Sequence, residues 1–144
     1  MEAVIVKNQQ QLEDAFFVRK EVFIKEQHVS PEEEMDHLDQ ESSHLVIYDG
    51  KEPIGAGRLR LVDGYGKLER ICVLKSHRSL GIGNLIIQAL EEEAAKQGAV
   101  QFMLNAQTQA VPFYEKHGYK VVSEEFLDAN IPHVKMVKSN RSAF

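Results

Sequence analysis

KLERICVL (residues 67–74), KSHRSLGIG (75–83) and NLIIQALEEEAAKQ (84–97) read in immediate succession as strand, glycine-rich turn and helix. Leu68, Ile71, Val73 and Leu74, with Cys72 among them, give the apolar density of a buried strand. From Ile82 the apolar residues recur at Ile82, Leu85, Ile86, Ala89 and Leu90, the stripe of an amphipathic helix. Gly81 and Gly83 sit where the turn becomes helix. Without a Cβ they admit φ > 0 and the close approach of another group. A turn of this kind offers the free N–H groups of a first helical turn and the positive end of the helix dipole, which suits phosphate. An ordinary strand–helix turn, packed tightly through its two glycines, is the competing reading. Two other phosphate loops are excluded by pattern: there is no Gly-Lys-Ser/Thr ending, and the dinucleotide fingerprint needs a third glycine.

Toward the N-terminus, Ile54–Val62 and Ser43–Tyr48 read as strands. The turns Asp49-Gly50 and Asp63-Gly64-Tyr65-Gly66 make them an antiparallel meander leading into residue 67. Gly55 and Gly57 either weaken the Ile54–Val62 strand or mark close approach of another backbone. Ala3–Lys7 is a short β-branched strand, and Gln9 to about Glu26 a helix with Leu12, Ala15, Phe16, Val22 and Phe23 on one face. Arg19 falls on that face and needs an acidic partner or a route to solvent. HVSPEEEMDHLDQ (28–40) breaks the pattern, with Ser30-Pro31 capping a short helix that begins Glu32-Glu33-Glu34. Glu34, Asp36, His37 and Asp39 concentrate acid there, as a solvated face or as the wall of a pocket for a cationic substrate. Their spacing matches no standard ligand set, and no metal is expected.

Toward the C-terminus, Gly98 caps the helix, and the crossover to a strand at Val100–Leu104 makes that strand parallel to 67–74. AVPFYEKH (110–117) is a short helix with Pro112 in its first turn and Gly118 closing it. Tyr119–Val122 and Pro132–Val137 are the last strands; Phe126 and Leu127, in the connection between them, are candidates for core or for a homodimer interface. One domain over residues 1–138 and a polar, frayed tail over 139–144 are expected. The 144 residues, 43% hydrophobic and 27% charged, suit a single core. A net charge of −5 disfavours nucleic acid or a membrane surface as partner, and no apolar run is long enough to span a bilayer. The start, MEAVIVKNQQ, lacks the basic and apolar regions of a signal peptide. Cys72 is the single cysteine, so an internal disulfide and a thiolate zinc site are excluded, and a reducing cytoplasm is the simple expectation.

Together these blocks resemble the GNAT superfamily of acyl-CoA-dependent N-acetyltransferases. Arg78–Gly83 (RSLGIG) matches its R/Q-x-x-G-x-G/A pyrophosphate loop, Val73 stands five residues before Arg78, and FYEKHGY (113–119) matches its F-Y-x-x-x-G-F/Y block. The likeness spans roughly Ser43–Lys138. RKEVFIKEQ (19–27), EEEMD (32–36) and SHL (43–45) further resemble small bacterial members of the ElaA type. The resemblance implies an α/β (α+β) fold: a single domain whose mixed, mostly antiparallel sheet holds a central parallel βαβ unit flanked by helices.

It also implies acetyl-CoA as cosubstrate. Its pyrophosphate would lie on Arg78, Ser79, Leu80, Gly81, Ile82, Gly83 and Asn84. Pantetheine would run along Ile71, Cys72 and Val73 as an added strand would, and the N–H near Ile71 would polarise the thioester carbonyl. A bulge that splays this strand in the family is not readable in these residues. Tyr114 matches the family's general acid. Glu69 is the candidate base: two residues before Ile71, it would share that residue's face, and burial would raise its pKa. A structural pairing with Arg58, Arg60 or Arg70 competes with that role. His44 and His133 are the reserves. The family's pantetheine-binding asparagine, seven residues before the tyrosine, is here Gln107, with Asn105 two residues earlier; either amide would serve. Asp36, Asp39, His44 and His133 are the candidate acceptor-binding residues. The expected reaction is direct attack by a small-molecule primary amine in a ternary complex. A non-catalytic acyl-CoA-binding module and a protein or peptide N-acetyltransferase are the alternatives.

Overall fold

In the computed structural model, which describes residues 1–139, the chain runs from β1 (Glu2–Ile5) through α1 (Gln9–Arg19) into a π-helical stretch (Lys20–Glu26). Next come α2 (Pro31–Glu34), a 3₁₀ turn (His37–Glu41), β2 (Ser43–Asp49), β3 (Glu52–Val62) and β4 (Tyr65–Val73). The second half is α3 (Ile82–Lys96), β5 (Gln101–Gln107), α4 (Val111–Lys116), β6 (Lys120–Val121), β7 (Phe126–Asp128) and β8 (Ile131–Ser139). One sheet results, in the order β1-β2-β3-β4-β5-β8-β6, with β7 paired to β8 off that path. The β2-β3-β4 meander is antiparallel and β4–β5 parallel, as the turn chemistry and the helical crossover require.

Each face carries a helix. Leu45, Ile47, Leu59 and Leu68 meet Ile82, Ile86 and Leu90 of α3; Val46, Ala56 and Cys72 meet Ala15 and Val18 of α1, with Val22 beyond. Consecutive residues of β2 thus bury on opposite sides, which is why it reads as a continuous apolar run. Gly57 and Gly66 let α3 sit close: a Cβ at either would fall 2.8 Å from Leu90 or 2.7 Å from Ala94.

Several boundaries differ from the sequence reading. The first helix changes to π geometry after Arg19. β5 runs to Gln107, beyond Leu104, because β8 pairs with it as far as Gln107↔His133. Residues 126–128, read as connection, are a strand. They pair with β8 across a two-residue turn, Ala129-Asn130, with φ of 51° and 63°. Tyr119–Val122 shrinks to Lys120–Val121, and β8 continues through Ser139, into the expected tail. Residues 140–144 of that tail lie outside the described residues. Phe126 is half-buried against His133, and Leu127 is exposed.

Two irregularities position the site. Pairing between β3 and β4 steps from Ala56↔Cys72 to Arg58↔Glu69, so Arg70 and Ile71 together oppose Gly57. This is a β-bulge, with Arg70 at φ 55°. Pairing between β4 and β5 stops at Leu68↔Leu104. Beyond it β4 stays with β3 and β5 with β8, so the sheet divides between residues 69–73 and 105–107. The bulge also resets alternation: Glu69 shares the α1 face with Cys72, whereas Ile71 and Val73 pack with the α3 cluster. Glu69 and Ile71 therefore do not share a face, contrary to the two-residue spacing.

Candidate active site

A cavity of about 230 Å³ occupies the division of the sheet. Leu68, Leu104, Ala110 and Tyr114 line it from the α3–α4 side. Glu69, Asn105, Gln107 and His133 line it from the other side, together with Phe23 and Gln27 of the π-helical stretch. A smaller cavity of about 70 Å³ adjoins it, sharing Gln27, Arg70, Gln107, Asp128 and His133 and reaching Glu33. A third, of about 380 Å³, lies over the turn before α3 and is lined by Val73, Arg78, Ser79, Gly81, Gly83 and Asn84 among others.

The two turn glycines have different causes. Gly81 adopts φ 80° at the N-cap of α3, and among the described residues no side chain caps that end, so first-turn N–H groups remain for a ligand. Gly83 is set by space: a Cβ there would lie 2.9 Å from the Phe113 ring of α4. Ser79 is also left-handed, at φ 67°. Ile82 is buried, leaving only its backbone to a ligand, and Leu80 points outward, 63% exposed and off the cavity wall. Arg78 donates from Nε to the Val73 carbonyl at 3.0 Å and holds Glu26 with both terminal nitrogens, at 2.6 and 2.5 Å. That contact keeps the Glu26 carboxyl below the usual range. Asn84 Oδ1 accepts from His117 Nε2 at 2.7 Å.

Along the division, Ile71 lines the central cavity, but the Cys72 side chain is buried against α1, so only its backbone could meet pantetheine. Burial pushes that thiol up. Of the two candidate amides, Gln107 is engaged: it donates to Gln27 at 2.9 Å and accepts from Gln109 at 2.5 Å. Asn105 lines the cavity with no side-chain hydrogen bond among the described residues. Tyr114 packs edge-on to Phe113, with ring centroids 5.1 Å apart, and burial pushes its phenol up to about 12.

Glu69 does not have the raised pKa expected of a base, and the competing arginine pairing is what the structure holds. Burial alone would raise the Glu69 pKa. Yet its carboxylate accepts from Arg60 at 2.7 Å and Arg58 at 3.1 Å, with Lys67 at 3.5 Å, and these cations hold it low. A carboxylate shared by three cations is a poor base. Asp36 and Asp39 line none of these cavities; they bind arginines. Asp39 meets Arg19 at 2.8 Å and Arg58 at 2.9 Å, and Asp36 meets Arg58 at 2.7 Å and Arg70 at 3.3 Å. Both are held low against burial. Arg19 thus has its expected acidic partner, and a second in Glu34 at 2.5 Å. His44 is buried beside this cluster, donating from Nε2 to the Asp39 carbonyl at 2.8 Å and edge-on to Phe16; burial lowers its pKa. The acidic segment is a structural ion network. It is not an acceptor wall.

His133 alone of the four acceptor candidates lines the cavities, both the central one and its neighbour. Phe23, Gln27, Lys67, Arg70 and Asp128 were missed. For Asp128 the signal was half present: Asn130 tolerates its φ of 63°, but Ala129, at 51°, is not a residue that announces such a turn. For Arg70 there was none.

A model of the Acetyltransferase (GNAT) domain family matches residues 4–140. The uncharacterized N-acetyltransferase YjcF of Bacillus subtilis is 68% identical over 139 residues, covering 96% of this chain and 99% of its own. Among solved structures, ElaA of Escherichia coli superposes with a TM-score of 0.85 at 21% identity, covering 96% of this chain and 99% of its own. An aminoglycoside 6'-N-acetyltransferase complexed with coenzyme A gives 0.77 at 18%, covering 96% and 97%. These two likenesses are of fold. The family match and the close relative carry the identification: this chain belongs to the GNAT family of acetyltransferases.

Proposed function

We propose that this enzyme moves an acetyl group from acetyl-CoA to a primary amine of a small molecule, by direct attack with both substrates bound. The observation that carries this is the cavity through the divided sheet. Tyr114 faces it from the α4 side and His133 from the other, so a donor and an acceptor entering from opposite faces would meet there. Acetyl-CoA supplies the acetyl group as a thioester. The residues present fit it: α3 begins with uncapped N–H groups over one cavity, and the edge of β4 past Leu68 is free of β5 for a strand-like chain. Asn105 is the amide left free to bind that chain. The backbone around the Arg70–Ile71 bulge is the source of an N–H for the thioester carbonyl.

Tyr114 stays protonated at any working pH and presents a donor to the departing sulfur. With the phenol near 12 and a thiol near 8.5, outright loss of that proton to sulfur is uphill. Tyr114 is therefore a relay, returning a proton from the attacking nitrogen as it gives one up. Thiol release from acetyl-CoA, measured over pools of polyamines, amino sugars, aminoglycosides, amino acids and lysine peptides, tests the reading. Release should depend on one small-molecule pool. Tyr114→Phe should cut kcat by about 10²-fold with little change in the acceptor KM. A rise in melting temperature with acetyl-CoA, but no release from any pool, would leave a binding module instead. Release confined to lysine peptides would make the acceptor a protein.

A further inference from the structure

Resting on that reading, we infer that His133 and Asp128, which share one face of the β7–β8 hairpin, are the amine-receiving pair. His133 Nε2 takes the acceptor's proton, and Asp128 anchors a second positive charge on a dicationic acceptor. The carbonyl of Ile131 lies 2.6 Å from His133 Nδ1. A carbonyl only accepts, so Nδ1 carries the hydrogen, and in the neutral ring Nε2 is left with a lone pair. His133 is 8% exposed, its ring stacked on Phe126 at 6.1 Å and flanked by Gln107 across the ladder, so its orientation is fixed. It lines both the central cavity and the smaller one beside it.

The charges around it decide what approaches. Asp128 comes from β7, Glu33 and Glu34 from α2, and Lys67, Glu69 and Arg70 from β4. Glu34 is bound by Arg19 and Arg70, and Glu69 by Arg58, Arg60 and Lys67. Arg70 is in turn neutralised by Glu34 and Asp36. The Glu33 carboxylate accepts from Ser30 Oγ at 3.2 Å and lines the smaller cavity but not the central one. Asp128 has no ion pair or side-chain hydrogen bond among the described residues and lines both cavities. Pairing Asp128↔Ile131 and Phe126↔His133 puts Asp128 on the face of the hairpin that carries His133. It is the open anion of the acceptor side.

The step balances as follows. The ammonium gives one proton to Nε2, and the freed lone pair forms the C–N bond to the acetyl carbon as the thioester C–S bond breaks. A second nitrogen proton reaches the departing sulfur through the Tyr114 hydroxyl. His133 then returns its proton to solvent, so ammonium and thioester become amide, thiol and one proton.

Two probes, n-butylamine and 1,4-diaminobutane, test the pair with the intact enzyme and acetyl-CoA. In the wild type, kcat/KM should level off before the amine's own pKa, near that of a lysine at about 10.4, is reached. In His133→Gln it should fall by about 10²-fold at neutral pH and keep climbing with the free-amine fraction up to that pKa. Asp128→Asn should raise KM for the diamine about fivefold more than for n-butylamine. Long-range ¹H–¹⁵N spectra of the wild type with coenzyme A should show the Nδ1–H tautomer at His133, perturbed by the diamine and much less so in Asp128→Asn. A His133→Gln profile that levels off as the wild type does, or an Nε2–H tautomer, overturns the inference. Perturbed spectra without thiol release from either amine would strike the transfer reading and support the amine site; silent spectra with brisk release would do the reverse.

Discussion

A methyl group at Gly83 would press on the Phe113 ring, and that ring is packed against Tyr114 and His117. Gly83→Ala should therefore cost about 1–3 kcal/mol by overpacking and lower kcat through Tyr114. Gly81→Ala meets open space, with Asn84 Nδ2 3.7 Å away, but holds a left-handed φ of 80°, which costs an L-residue about 1–2 kcal/mol. Urea unfolding should find both variants less stable. Coenzyme A titration should find Gly81→Ala the weaker binder at matched temperature, since its strain falls on the turn itself. Equal affinities would mean that the turn backbone does not hold the cofactor. In the sequence the two glycines carry one ambiguity, phosphate loop or tight packing. The structure divides it, giving a left-handed turn to Gly81 and a packing constraint to Gly83.

α2 is a single turn, too short to hold itself, and the segment from Pro31 to Glu41 is fixed by arginines from three other elements. Arg19 comes from α1, Arg58 from β3 and Arg70 from the bulge. Arg58, with its side chain 1% exposed, binds Asp36, Asp39 and Glu69 at once. Arg58→Met would leave Asp36 with Arg70, Asp39 with Arg19 and Glu69 with Arg60 and Lys67, each one cation short, and should cost about 3 kcal/mol in urea unfolding at pH 7. The folded pKa values of Asp36, Asp39 and Glu69 lie below their unfolded ones, so the unfolded chain binds more protons in acid. Their contribution is complete above the unfolded carboxylate range, at about pH 4, and is lost as pH falls through the lowered folded values. Unfolding followed from pH 7 to pH 2 should steepen below about pH 4 in the wild type and less so in Arg58→Met. The same elements explain what the sequence hid. Its acidic run was legible, but the cations that neutralise it come from distant positions, so the run read as open. The bulge was hidden for a related reason. Arg70 takes φ 55° without being glycine, and its guanidinium donates to the backbone carbonyls of Glu33 and Glu34, 37 and 36 residues earlier. No local signal announces a backbone conformation held by contacts of that range.

Across the whole molecule, local signals carried the meander, the turn, α3 and the parallel strand after it, because periodicity and turn residues act within a dozen positions. The placement of β8 between β5 and β6 is set by long-range pairing and left no such trace. Yet that placement holds the division open. With β8 on its other edge through Gln107, β5 is satisfied there without following β4 past Leu104. The sheet is therefore stable while split, and a bound chain can complete it without breaking existing bonds. Ligand binding to the folded state alone adds about 2.7 kcal/mol at a hundredfold excess over Kd, which for a domain of this size raises Tm by about 8 °C. Hydrogen exchange locates the gain. With coenzyme A, amides at residues 71–73 and 82–84 should slow together, while those of β1 and β2, remote from the split, should keep their rates. Slowing confined to 82–84 would mean that the turn binds phosphate while the divided sheet stays empty, and that pantetheine takes another path. Slowing spread evenly over the sheet would mean that the ligand closes the split, drawing β5 back onto β4.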